Sequence, residues 1–368
     1  MKNKQFITLL ASITLVAGIF LLALGCKKSG SSVKEDKDKE QNEITIPDNY
    51  LGYDLIWNDE FDADVLNQKN WNIEIGTGID GNFGTGQLDR ATGRDENLSI
   101  KKSIKNAQAN VLAITTVKET YMDRQYTSGR INTKDKFSFG PGSRIEARIW
   151  ARDVKYKGQG FAFWMMPAEI PPGENHLMWP QGGEIDIMEY VGAIPYHNLG
   201  SLHYAWSWED NKYQSWNHGH RGAYFSYEQK QTPVTKPGYG GWPAPENDIN
   251  AGSGGFHKYR VDWFNNRIEF SVDEQVYHIS YFEDGASKQT APDGKDEEII
   301  KTVNGKNVLY SEYVHHFNQW KPFDHKFYII LSAGVGGDDN RSYGGKIVPE
   351  AQFPCNVFVD WVRVYKRK

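Results

Sequence analysis

Only 2 of the 368 residues are cysteine, Cys26 and Cys355. A disulfide framework is thereby excluded, and no Cys/His cluster has the spacing of a zinc site. A basic excess is missing too: 42 Lys and Arg face 47 Asp and Glu, a net charge of -5 that argues against nucleic acid as a partner. No glycine-rich phosphate loop stands in the right context, because Gly334-Val335-Gly336-Gly337 follows a strand-like run but opens no helical pattern. Long amphipathic helical repeats are also absent.

The chain does have aromatic residues, 14% of the total with 12 Trp, and 36 glycines. That aromatic share fits a carbohydrate-binding surface. From residue 50 onward, short β-type runs alternate with Gly, Asn, Asp and Pro. Residues 111–117, 144–150, 266–272 and 357–365 are the clearest, and together they predict an all-β domain of two packed antiparallel sheets. Two stretches read as insertions. Residues 206–255 carry Trp206, Trp208, Trp216, Tyr239 and Trp242; residues 281–320 carry Tyr310, Tyr313, His315, His316 and Trp320. They are either surface loops packed on their own aromatics or walls of a substrate cleft.

The first residues have a different character. Lys2 and Lys4 precede an apolar run that ends in Leu22-Ala23-Leu24-Gly25-Cys26. This pattern is that of a bacterial lipoprotein signal over 1–25, with lipid on the Cys26 thiol. Residues 26–46 are charged and aperiodic, a polar tether unable to order itself by burial, and the catalytic domain is expected over 47–368. On this reading the domain lies outside the cytoplasm, touching the membrane only through its lipid anchor, and no intrachain disulfide can form.

The most informative segment is Gly183-Glu184-Ile185-Asp186-Ile187-Met188-Glu189. Glu184 and Asp186, two apart, face the same way on a strand, whereas Glu189 falls on the opposite face. A β-bulge near Ile187 or Met188 would bring Glu189 round to join them. An acidic stripe on a strand is commonly a solvated face. Here the intervening Ile185, Ile187 and Met188 are apolar, and Phe161, Phe163, Trp164, Trp179 and Tyr190 flank the segment, as core or as sugar-stacking surfaces. Trp164 and Trp179 are the stacking candidates, and Arg130 is a candidate for either sugar hydroxyls or a structural ion pair.

With Trp57-Asn58-Asp59-Glu60-Phe61, Tyr126-Thr127-Ser128-Gly129-Arg130-Ile131, Ala162-Phe163-Trp164-Met165, Leu202-His203-Tyr204, Phe256-His257-Lys258-Tyr259, Leu331-Ser332-Ala333-Gly334 and Val359-Asp360-Trp361-Val362, this segment resembles glycoside hydrolase family 16. Within that family the likeness is to the bacterial laminarinase-like (endo-β-1,3-glucanase) group. The resemblance implies a β-jelly roll sandwich of two curved antiparallel sheets with a concave substrate cleft. It implies Glu184 as nucleophile, Glu189 as general acid/base and Asp186 between them, with His203 near the carboxylates. A retaining enzyme of this kind needs its two carboxyl groups about 5–5.5 Å apart. It also needs Glu184 ionised while Glu189 keeps its proton. Glu60 and Asp360 match positions that often help bind a structural calcium in this family; no cofactor is expected for catalysis.

The chain departs from the family at Gly84-Thr85-Gly86-Gln87-Leu88-Asp89-Arg90, where Gln87, Asp89 and Arg90 replace a glutamate, a glutamine and an aromatic. Gln87 and Arg90 are therefore expected to shape sugar preference. Ser332 also stands where an asparagine is common. The expected activity is a monomeric retaining endo-β-glycanase on β-1,3-glucan or mixed-linkage glucan. The competing readings are the same chemistry on a β-galactan, transglycosylation, and a non-catalytic carbohydrate-binding protein.

Overall fold

The computed structural model describes residues 49–169, 179–180, 182–205, 218–237, 253–284, 298–315, 323–337 and 342–368. The signal, Cys26, the tether and the aromatics Trp206, Trp208, Trp216, Tyr239, Trp242, His316 and Trp320 lie outside the described residues. The chain divides into two units, residues 1–42 and 43–368, and all the described residues belong to the second.

The described residues form nineteen strands and no helix. In chain order they begin β1 (Tyr53–Asp59), β2 (Asn72–Ile73), β3 (Asp89–Ala91), β4 (Leu98–Lys101), β5 (Val111–Tyr121), β6 (Arg124–Ser128) and β7 (Arg130–Asn132). The centre of the chain gives β8 (Ser143–Trp150), β9 (Gln159–Pro167), β10 (Glu184–Val191), β11 (His197–Ala205), β12 (His218–Ser226) and β13 (His257–Trp263). Then follow β14 (Arg267–Val272), β15 (Gln275–Asp284), β16 (Ile299–Val303), β17 (Lys306–His315), β18 (Phe327–Val335) and β19 (Cys355–Arg367).

One sheet has twelve strands, ordered β16-β17-β15-β14-β13-β8-β19-β5-β6-β3 with β1 and β4 attached to β19 and β5. The other has seven, ordered β12-β11-β10-β9-β18-β7-β2. This is the two-sheet all-β sandwich of a jelly roll, with one amendment: the pairs β15–β17 and β3–β6 are parallel.

Period-two alternation builds the core. Phe161, Phe163 and Met165 of β9, Ile185 of β10 and Ile329, Leu331 and Ala333 of β18 are buried together with Ile145, Ala147 and Ile149 of β8 and Val357, Val359, Val362 and Val364 of β19. The alternate residues of β9, Ala162, Trp164 and Met166, line a cavity on the other face of the seven-stranded sheet. Cys355 is buried and free, and burial pushes its thiol up.

The two apparent insertions contain strands. Residues 218–226 pair with β11 along their whole length, and residues 299–303 and 306–315 extend the twelve-stranded sheet. In β12 the glycines and histidines hide the alternation, leaving only Ala223 and Phe225 as buried apolar residues of the core. The β16–β17 hairpin had a local signal, Asn304-Gly305, whose positive φ values of 51° and 76° suit a tight two-residue turn.

Candidate active site

β10 forms where Gly183, at φ 86°, turns the chain out of the Trp179-Pro180 corner; its N–H bonds the Pro180 carbonyl at 3.0 Å. The strand then carries the bulge. Asp186 pairs with Trp164 on β9 and Met188 with the adjacent Phe163, so one residue of β10 is extra. Against β11, Asp186 faces Ser201 and Glu189 faces Leu199. Ile187 and Met188 both go into the core, and Glu189 returns to the face of Glu184 and Asp186.

A cavity of about 360 Å³ lies over these acids. Glu184, Asp186, Glu189, Trp164, Trp179, Arg130 and Gln87 all line it, joined by Phe83, Thr85, Ser332 and Tyr343. Trp179 is 45% exposed, and its indole N–H donates to Glu184 Oε2 at 2.9 Å. Trp164 donates its N–H to Ser332 Oγ at 3.0 Å, which accounts for a polar residue at position 332. Arg130 forms the structural ion pair and also lines the cavity. Its Nε is held by Glu74 at 2.6 Å, while its guanidinium lies 5.1 Å from the Phe83 ring and 5.0 Å from the Trp164 ring. Phe161, Phe163 and Tyr190, by contrast, are core.

The acids perturb one another. Burial and the Asp186 charge raise Glu184 well above the usual carboxylate range, opposed by the Trp179 N–H and the Arg130 charge. Burial, the Asp186 charge and the Glu184 charge push Glu189 up to about 8, opposed by His203 and the Ser201 hydroxyl. The clean split expected between the two glutamates is thus modified. Both resist ionisation, and the direct indole donor marks Glu184 as the one equipped to hold a negative charge.

His203, on β11, approaches Asp186 Oδ2 at 3.4 Å through Nε2, with Glu184 Oε1 at 3.9 Å. Burial would lower its pKa, but the hydrogen bond and charge of Asp186, with Glu189, raise it. Its Nδ1 lies 2.9 Å from His218 Nε2. His218 is pushed down to about 4 by burial and the His203 charge, and His220 to about 3 by burial and both neighbours. Of the three imidazoles, His203 is the one whose neighbours favour the charged form, with Nε2 toward Asp186 and Nδ1 toward His218. The alternate His218 and His220 of β12 were the signal for this cluster, obscured because their strand read as a loop.

One residue expected to shape sugar preference falls elsewhere. Arg90 is not in the cleft: on β3 the side chains of Asp89 and Ala91 are buried, and Arg90 points away to Asp123 at 2.7 Å. Asp89 is an internal brace, accepting from Ser128 Oγ at 2.5 Å and the Val335 N–H at 2.7 Å. Gln87 alone of this trio reaches the cleft, donating to Thr85 Oγ1 at 2.7 Å. Glu60 and Asp360, the acids matched to a structural calcium, each meet an arginine. Glu60 holds Arg363 by two bonds of 2.9 and 2.7 Å, and Asp360 holds Arg148 and the Gln108 N–H. Each carboxylate is paired with its own arginine. Among the described residues, the His/Cys/Asp/Glu group close enough to grip one ion is Glu184, Asp186 and His203, within the cleft itself.

Comparison with known proteins agrees with this arrangement. The chain is 28% identical to the glucan endo-1,3-beta-glucosidase A1 of Niallia circulans over 90% of its own length, spanning 41% of that protein. It is also 28% identical to the beta-glucanase of Rhodothermus marinus, over 94% of this chain and 93% of that one. The solved endo-beta-1,3-glucanase of Pyrococcus furiosus superposes with a TM-score of 0.56 at 29% identity, covering 85% of this chain and 94% of that one. The family described as glycosyl hydrolases family 16 matches residues 90–307. That match takes in more than half of the chain, and the protein belongs to glycosyl hydrolases family 16, a family of retaining glycoside hydrolases.

Proposed function

We propose that the protein is an endo-acting β-1,3-glucanase in which Glu184 is the nucleophile and Glu189 the acid and then the base. The observation that carries this reading is the bulged β10, which turns Glu184, Asp186 and Glu189 into one cavity flanked by Trp164 and Trp179. The names of the relatives supply the substrate class. Glu184 attacks the anomeric carbon with one carboxylate oxygen while the Trp179 N–H holds Oε2. Glu189, kept protonated to about pH 8, gives its proton to the departing glycosidic oxygen. Esterifying Glu184 removes one of the charges that raise Glu189. Glu189 then becomes easier to ionise as it turns to act as base on the incoming water.

A polysaccharide panel of laminarin, mixed-linkage glucan, agarose, carrageenan and β-1,3-galactan tests the reading. Laminarin is expected to be cleaved to mixed oligosaccharides, and Glu184→Gln to lose roughly 10⁴-fold or more. Cleavage of a galactan alone would move the substrate assignment. Cleavage of nothing would favour a carbohydrate-binding protein.

We further propose that the chain is exported and lipidated at Cys26, a reading supported by the sequence of residues 1–26 alone. Labelled fatty acid is expected to enter the wild-type protein and not Cys26→Ser; equal labelling of both would contradict it.

A further inference from the structure

Ser201 lies on β11 directly across from Asp186 and is fully buried. Its Oγ is 2.7 Å from Asp186 Oδ2 and 3.3 Å from Glu189 Oε2. The bulge creates this bridge, because it brings a second acid within reach of one hydroxyl. A hydroxyl has one hydrogen and two lone pairs, so it donates to one of these acids at a time. The shorter contact is an ordinary O–H···O⁻ distance and the longer one is not, so here the hydrogen goes to Asp186. Asp186 has a second donor in reserve, since His203 Nε2 stands 3.4 Å from the same Oδ2. Glu189 has no such reserve: among the described hydrogen bonds Ser201 is its donor.

We propose that Ser201 is a positioning residue whose hydroxyl turns from Asp186 to Glu189 when Glu189 surrenders its proton to the leaving group. No covalent bond at Ser201 forms or breaks; one hydrogen bond is exchanged for another, and His203 covers Asp186 meanwhile. The new carboxylate is met by a donor within the same turnover, which eases both its formation and its later service as base. The other charged or titratable groups on Glu189 are Glu184 and Asp186 on its own strand, His203 on β11 and the Tyr277 phenol of β15. Beyond His203 stand His218 and His220 of β12, and Arg130 of β7 acts on Glu184.

This inference rests on the assignment of Glu189 as the acid/base of a β-1,3-glucanase. Its test compares wild type, Ser201→Ala and Ser201→Thr on laminarin and on a dinitrophenyl β-laminaribioside, whose leaving group departs without a proton. For Ser201→Ala, kcat/KM on laminarin is expected to fall about tenfold, with the alkaline limb of its pH profile moved upward. The activated glycoside should be spared in its glycosylation step. Ser201→Thr, which keeps the hydroxyl, should restore the limb. Equal losses on both substrates, or an unmoved limb in an alanine variant that melts like wild type, would overturn the role of Ser201. Should the alanine variant not fold, Ser201→Cys, of similar size and a weak donor, makes the same comparison. A wild type inactive on both substrates would instead defeat the glucanase assignment.

Discussion

Two groups of buried acids in this molecule are treated in opposite ways. In the twelve-stranded sheet and at the end of its β1, Asp360, Asp262 and Glu60 each face a guanidinium: Arg148 holds Asp360, Arg144 holds Asp262 at 2.7 Å and Arg363 holds Glu60 at 2.7 Å. In the seven-stranded sheet, Glu184, Asp186 and Glu189 are placed beside one another, with one imidazole, one hydroxyl and one indole among them. The first arrangement satisfies charge and leaves nothing to react. The second leaves charge unsatisfied, so protons are held tightly and released on demand. A buried acid is structural or chemical according to its partner, and the sheet position decides the partner.

Melting experiments should push the two groups apart. The largest effect is expected from Arg363→Met, because Arg363 is 1% exposed and its loss leaves the largely buried Glu60 with Asn58 as its remaining side-chain donor. Breaking one side of such a pair costs about 3–5 kcal/mol, which lowers the melting temperature by roughly 6 °C or more. The folded fraction should keep its activity; an unchanged melting temperature would show the pair to be inert. An effect of opposite sign, confined to high pH, is expected from Glu189→Gln. The folded pKa of Glu189 is raised from 4.5 to about 8, so its contribution to stability is complete below about 4.5 and lost as pH rises through about 8. Glutamine removes that dependence. The variant should melt above wild type at pH 8 or higher and no differently below pH 4.5. A variant less stable at pH 8 would mean that Glu189 is a satisfied structural acid like Glu60.

Much of this contrast was legible in the chain. Alternation in residues 144–150 and 357–365 marked two strands, which the fold then pairs, and the five-residue spacing of Glu184 and Glu189 called for a bulge near Ile187 or Met188. His203 apart, which the resemblance set near the carboxylates, the hydrogen-bond partners of the acids were not legible, because they depend on how strands pair. Nothing local joins Glu60 to Arg363 or Asp186 to Ser201, and these contacts exist only once sheet order and register are set. Position 90 failed for the same reason: a loop reading gives it to the cleft, whereas strand parity in β3 turns it to Asp123. The residues of β12 were missed because its glycines and histidines carry little apolar period.

The most direct test of the crowded acids is to trap the covalent intermediate. Incubation with an activated 2-deoxy-2-fluoro β-laminaribioside, followed by peptide mass spectrometry with fragment localisation, should place one glycosyl adduct on Glu184. An adduct on Asp186 or Glu189, or turnover of the reagent with no adduct on any carboxylate, would contradict it.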